Sequence, residues 1–248
     1  DDNVFENPES MYVNLLNPTN STIADAQGEG RILDNADKPS LSVSTTEVVE
    51  GGYAVFNIQL SNPSTQDVTF DLTPKEGTAT QDDYSSIVEV SYDGGVTWTP
   101  ASEAIIPAGK TQILARVQTT QDDIDELVEK FTLTADITSG NTTNVSSTGT
   151  ASILDNDGEP QIVISDSSVN EEDGLLTFVV SLSNPSSNVV TVNYVTADGT
   201  AIAGSDYVSS TGTITFAPGE TSKIITVAVL DDNVFENPES MYVNLLNP

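Results

Sequence analysis

The chain contains no cysteine and no histidine. Without cysteine there is no disulfide framework and no thiolate metal site. Without histidine the commonest general base, the usual zinc ligand and every Ser-His or Cys-His nucleophile pair are gone. Basic side chains are scarce as well: 7 Lys and Arg stand against 38 Asp and Glu in 248 residues, a net charge of −31. Nucleic acid, whose phosphates need Lys and Arg, is excluded as a partner by that balance. An anionic membrane surface is disfavoured for the same reason. No apolar run reaches membrane-spanning length and no signal peptide is visible, so direct membrane insertion is not expected.

What is present is repetition. Residues 1–18 and 231–248 are the same 18-residue word, DDNVFENPESMYVNLLNP. A diverged copy, QDDIDELVEKFTLTADI, occupies residues 121–137. The repeat unit is therefore about 115–120 residues long, and the chain reads as a piece of a tandem array. Each copy opens with clustered carboxylates and runs into an alternating apolar strand. Clustered carboxylates repel one another unless a cation intervenes, and Ca²⁺ takes six to eight oxygens in flexible geometry. The competing reading is a solvated acidic loop that keeps the protein soluble.

Period-two alternation dominates between the acidic words. Ala54, Phe56, Ile58 and Leu60 share a face and stop at Ser61-Asn62-Pro63. Leu176, Phe178, Val180 and Leu182 do the same before Ser183-Asn184-Pro185. Further alternating runs begin at Val68, Ile113, Phe131, Val190, Ile214 and Ile225. About seven such strands per 120 residues predict an all-β fold of antiparallel β-sandwiches in tandem. Gly-Arg-Ile-Leu-Asp-Asn at 30–35 returns as Ala-Ser-Ile-Leu-Asp-Asn at 151–156, each before a Pro-containing linker. The expected domains are 1–35, the closing strands of one repeat; 36–157, a complete repeat; and 158–248, the front of another lacking its last strand. An open sandwich edge recruits a matching strand, so head-to-tail strand exchange between chains is expected along with contacts to neighbouring repeats.

Several ordered words carry a resemblance. Asp198-Gly199-Thr200-Ala201, Gly204-Ser205-Asp206-Tyr207, Phe216-Ala217-Pro218-Gly219 and the following Asp-Asp cluster resemble the Calx-β repeat. The central unit repeats them as Glu76-Gly77-Thr78-Ala79, Asp82-Asp83-Tyr84, Ile106-Pro107-Ala108-Gly109, Gln121-Asp122-Asp123 and Ile153-Leu154-Asp155-Asn156-Asp157. The resemblance covers essentially the whole chain. It implies an immunoglobulin-like Greek-key sandwich that binds Ca²⁺ at one pole. Carried across, the central ligands would be Glu50, Asp83, Asp122, Asp123, Glu126, Glu129, Asp155 and Asp157, with the carbonyl of Ile124. In the third unit they would be Glu171 or Glu172, Asp206, Asp231, Asp232, Glu236 and Glu239, with Val234 at the carbonyl position. In the first they would be Asp1, Asp2, Glu6, Glu9 and Asp34, with Val4. Two departures stand out: an inserted hairpin around Asp93-Gly94-Gly95, and Ala36 where the central unit has Asp157.

The function expected first is structural: a calcium-rigidified extender repeat of a secreted or cell-surface adhesion protein, placed outside the cell. The alternatives are a Ca²⁺-sensing module of a membrane transporter and a carbohydrate-binding module built on Trp98, the chain's one tryptophan. An enzyme is not expected, because these carboxylates cluster more tightly than a glycosidase pair requires.

Overall fold

A computed structural model describes residues 2–34, 37–232, 235 and 237–247. The chain falls into two compact units, residues 1–121 with 128–154, and residues 122–127 with 155–248.

The first unit begins with a hairpin, β1 (Glu9–Asn14) and β2 (Gln27–Ile32). They pair antiparallel, with Glu9 opposite Ile32 and Val13 opposite Gly28. Residues 27–32 thus find their partner in their own chain, and the expected strand exchange between chains is not what this segment does. The connection, residues 15–26, is turned at Asn17 and Asn20, whose φ are positive at 51° and 58°. Asparagine tolerates that conformation.

The rest of this unit is a two-sheet sandwich. Its strands are β3 (Leu41–Val43), β4 (Thr46–Val49), β5 (Tyr53–Leu60), β6 (Val68–Glu76), β7 (Tyr84–Ser91), β8 (Thr99–Pro100), β9 (Glu103–Ile106), β10 (Gln112–Thr119), β11 (Glu129–Ser139) and β12 (Ser146–Leu154). The sheet orders are β3-β5-β10-β7-β8 and β4-β12-β11-β6-β9. The alternation read from the sequence faces inward: Ala54, Phe56, Ile58 and Leu60 meet Val68, Phe70, Ile113, Ala115, Val117, Phe131 and Leu133 in one core. Phe131 stacks on Tyr84 with centroids 4.2 Å apart and meets Phe56 edge-on at 6.1 Å.

The sandwich is antiparallel except at one edge. Strands β3 and β4 are one stretch that changes sheets at Ser44-Thr45, after which β4 runs parallel to β12. The crossing passes so close to β12 that a Cβ on Gly149 would lie 2.2 Å from the Ser44 carbonyl oxygen. Gly28 holds the same place in β2, opposite Val13 as Gly149 is opposite Leu133, yet a Cβ there would meet nothing within 4 Å.

The inserted hairpin joins β7 to β8. Gly94 and Gly95 take positive φ, and the Asp93 carboxylate accepts hydrogen bonds from Ser91 Oγ, Val96 N, Thr97 N and Thr97 Oγ1. Those donors, Thr97 first, hold the Asp93 carboxyl well below the usual carboxylate range. Trp98 donates its indole N–H to Gly95 O at 3.0 Å. The Arg116 guanidinium carbon lies 4.4 Å from the Trp98 ring and 3.8 Å from that of Tyr53, while Arg116 Nε bonds Glu89 at 2.7 Å. One indole face is therefore taken by a cation, which makes Trp98 a packing residue.

The second unit contains β13 (Ile162–Ile164), a 3-10 turn (Glu171–Asp173), β14 (Leu175–Leu182), β15 (Val190–Asp198), β16 (Thr211–Phe216), β17 (Ser222–Ala228) and β18 (Met241–Leu246). Its sheets are β13-β14-β17 and β16-β15-β18. Phe178, Val180, Val192, Phe216, Ile225 and Val227 fill the core between them.

Gly149 and Gly28 form a matched test. Gly149→Ala pushes a methyl group into backbone and should destabilise the first unit by about 1–3 kcal/mol, the usual cost of overpacking. Gly28→Ala has open space and should stay within about 0.5 kcal/mol of the parent. Denaturant melts of the two variants check this.

Candidate metal centre

The carboxylates stand on the loops that join the strands. In the first unit Glu50 follows β4 and is only 7% exposed. Its N–H donates to Leu154 O at 3.0 Å, and its Oε1 accepts from Gln121 Nε2 at 3.1 Å. Asp83 caps the turn before β7 by accepting from Thr80 N and Thr80 Oγ1. Its carbonyl accepts from Thr120 N at 2.8 Å, which ties this turn to the end of β10. Glu129 opens β11, and its carboxylate lies within 4.8 Å of that of Asp83. Gly77 lets the strands approach: a Cβ there would sit 2.4 Å from Lys130 O, and Gly199 stands in the same relation to Ser240 O in the second unit. Burial pushes the neighbouring Tyr84 phenol up, with Glu76 and Asp83 adding to the effect.

In the second unit Asp122 and Asp157 bring carboxylate oxygens within 4.8 Å of one another. Asp122 Oδ1 accepts from Ile124 N at 2.8 Å, which fixes the loop as an Asx turn. Asp155 Oδ1 and Asp157 Oδ2 are buried and meet no hydrogen-bond donor. Asp123, exposed, lines an open depression with Asp157, Glu159 and the turn Ser183-Asn184-Pro185. Further along, Asp206 Oδ2 accepts from Ile202 N at 2.7 Å. Glu239 has its carboxyl pushed up, first by desolvation and then by the charge of Asp206, a hydrogen bond to Asp206 and the charge of Glu171. Glu171 and Glu172 lie on the 3-10 turn, and Glu172, Asp231 and Asp232 are exposed.

At the start of the chain Asp2 Oδ1 accepts from Val4 N at 3.0 Å, the same Asx turn as Asp122 with Ile124. That register sets Asn3, not an acid, at the place of Asp123, with Glu6 at that of Glu126 and Glu9 at that of Glu129. Asp34 accepts from Glu6 N at 3.3 Å and from Asp37 N at 3.2 Å. Asp1, Val234 and Glu236, also named from the sequence, lie outside the described residues. Asp37 was not foreseen: its Oδ2 is buried without a donor, beside Asn3 in a second depression. The signal was a carboxylate one residue past Ala36, hidden because the Ile-Leu-Asp-Asn words were matched without a shift.

A buried carboxylate oxygen without a donor is costly unless a cation supplies the missing charge. The donor set is all oxygen, with several carboxylates and no nitrogen or sulfur, and Ca²⁺ is the cation it fits. Mg²⁺ demands a tighter octahedron and keeps more of its water. Asp122, Asp155 and Asp157 are the residues of the second unit placed to hold it.

Fold and loops together define tandem β-sandwich repeats with acidic, cation-binding loop ends. Residues 33–159 and 155–248 each match the Calx-beta domain model, and the chain belongs to that family. It is 52% identical over 60 residues to sodium/calcium exchanger 1 of Canis lupus familiaris, a stretch that is 24% of this chain and 6% of that protein. With sodium/calcium exchanger 2 of Rattus norvegicus it shares 52% over 56 residues, 23% of this chain and 6% of that protein. The chain thus spans a small part of these relatives' length. Among solved structures, CBD12 from CALX1.2 matches at 19% identity and TM-score 0.36, over 82% of this chain and 79% of that one. The apo-form Calx CBD1 domain matches at 38% identity and TM-score 0.31, over 32% and 69%.

The raised Glu239 carboxyl gives a pH test. Folding favours its protonated form, so in metal-free protein this contribution is full below the ordinary glutamate pKa. It is lost as pH rises through the raised value. Glu239→Gln should flatten that part of the stability–pH profile measured in chelator and leave the protein more stable at neutral pH. An unchanged profile would show that Glu239 does not titrate against Asp206.

Proposed function

We propose that the chain is a calcium-binding regulatory module, of the kind its 52% identity over 60 residues to sodium/calcium exchanger 1 suggests. The observation that carries the reading is the pair of buried, unpartnered oxygens on Asp155 and Asp157, with Asp122 close to Asp157. Without a cation these carboxylates repel and strain the loops; with one, the loops close around a shared charge. Ion occupancy becomes loop geometry, which is what a regulatory domain passes to the protein it belongs to. A membrane transporter is the parent this reading implies.

A second reading, an extender repeat of a surface adhesion protein, draws on a different observation: two identical 18-residue words 230 positions apart. Identical repeats suit a stalk, where every unit does the same mechanical work and calcium serves stiffness. The measured response separates the two. A regulatory module changes loop conformation over a narrow calcium range, whereas a stalk saturates early and stays loaded.

Calorimetric titration with Ca²⁺ tests the common core of both. Binding heat is expected, and Ca²⁺ at one hundred times its dissociation constant should add about 2.7 kcal/mol of stability. Asp157→Asn should weaken binding about tenfold or more, because it removes a charge from the cage. The same change should raise the stability of the metal-free protein by relieving repulsion. No heat, and a melting temperature indifferent to chelator, would end the proposal.

A further inference from the structure

Four Asp-Gly pairs occur in the chain: Asp93-Gly94, Asp157-Gly158, Asp173-Gly174 and Asp198-Gly199. Such a pair can rearrange without an enzyme. The glycine amide nitrogen attacks the aspartate Cγ and a C–N bond forms. One carboxyl oxygen leaves as water, carrying the amide proton and a proton from solvent. Water then opens the cyclic imide. Opening at the main-chain carbonyl gives isoaspartate, with the backbone routed through Cβ and Cγ and the free carboxylate on Cα. Water lost in the first step is regained in the second. Glycine permits the attack because it has no Cβ to obstruct it and restrains the backbone least.

Three of the four pairs are held against this reaction. The Asp93 carboxylate accepts from Ser91 Oγ at 2.8 Å, Val96 N at 3.0 Å and Thr97 N at 2.9 Å. Asp198 Oδ1 accepts from Tyr207 O–H at 2.6 Å and Ala203 N at 2.9 Å. Gly199 is also hemmed in, since a Cβ there would sit 2.3 Å from Ser240 O. At the third pair the nucleophile is engaged: Gly174 N donates to Glu171 O at 3.0 Å, and Asp173 Oδ2 accepts from Asn170 Nδ2 at 3.3 Å. In each case hydrogen bonds must break before nitrogen and carbon can meet.

Asp157-Gly158 lacks these restraints. Asp157 Oδ2 meets no donor. The Gly158 N–H donates to no acceptor among the described residues, and a Cβ on Gly158 would meet nothing within 4 Å. Gly158 is exposed and borders an open depression with Asp123 and Glu159, so water reaches the pair for the opening step. Its anchor lies on the far side, where Gly158 O accepts from Asn184 Nδ2 at 2.9 Å.

We propose that Asp157-Gly158 is a site of spontaneous isoaspartate formation, and that a divalent cation held by Asp157 shields it. A carboxyl oxygen gripped by Ca²⁺ cannot leave as water until the ion has gone. Rearrangement shortens this side chain by one methylene and lengthens the backbone by one, so the carboxylate no longer lies where the ion needs it. Loss of calcium thus opens a reaction that makes the loss permanent. The shielding rests on the cation reading of this loop; the ranking of the four pairs does not.

The test is to incubate the intact chain in H₂¹⁸O, with chelator or with Ca²⁺, and to digest it for mass spectrometry. Each passage through the imide writes one ¹⁸O into the pair, and fragment masses assign the label. In chelator Asp157 should take up label several times faster than Asp93, Asp173 or Asp198. Saturating Ca²⁺ should slow Asp157 to the rate of the other three. Gly158→Ala, whose methyl group has open space, should slow labelling of Asp157 in chelator and leave the melting temperature unchanged. Labelling of Asp157 no faster than the other pairs in chelator would overturn the site. Calcium that binds by calorimetry yet leaves the Asp157 rate unchanged would overturn the shielding. Absence of binding heat would instead remove the cation reading and the shielding with it, while the ranking in chelator still decides the site.

Discussion

Carboxylate oxygens withdrawn from water without a donor are the constraint on which this molecule turns. Asp155 Oδ1, Asp157 Oδ2 and Asp37 Oδ2 are all in that state, each within a few residues of a repeated Ile-Leu-Asp-Asn word. A protein with 38 acidic and 7 basic residues has few cations of its own to offer them. Arg116, one of those few, is spent on Glu89 and two aromatic rings. The charge that completes these loops has to come from solution, and a hard divalent ion with room for many oxygens supplies it.

The sandwiches make this possible by being indifferent to it. Their cores are apolar and closed by strand pairing, with Phe56, Tyr84 and Phe131 packed as one aromatic group. Loop ends can therefore carry mutual repulsion that would unfold a less complete core. Close approaches such as Gly77 to Lys130 and Gly199 to Ser240 fix where each acidic loop begins. The Asp83 and Asp206 turns are held by their own backbone donors, so they wait in place for a partner charge.

Much of this was legible in the residues. Alternation gave the inward faces of β5, β6, β10, β11 and β14 to the residue, because period two leaves no freedom once one face is apolar. The resemblance supplied the family and the acidic loops. Other features were not legible. The sheet change at Ser44-Thr45 leaves no mark in hydrophobicity, since both halves of the strand alternate correctly. Which loop carboxylates approach one another depends on turns, and a shift of one residue put Asn3 opposite Asp123 and left Asp37 unnoticed. The pairing of residues 27–32 with 9–14 is not legible, because the connection over residues 15–26 is longer than the loops of about two to five residues that mark a hairpin. Extension and adhesion are expected from repetition, absent cysteine and strong acidity, none of which says what a unit does in the protein that carries it.

The central claim is that a cation completes the buried carboxylates, and a crystal structure of the chain grown in Ca²⁺ tests it most directly. The account predicts an ion within about 2.3–2.6 Å of oxygens from both Asp155 and Asp157. A calcium-saturated crystal in which those oxygens meet only protein donors or water would contradict it.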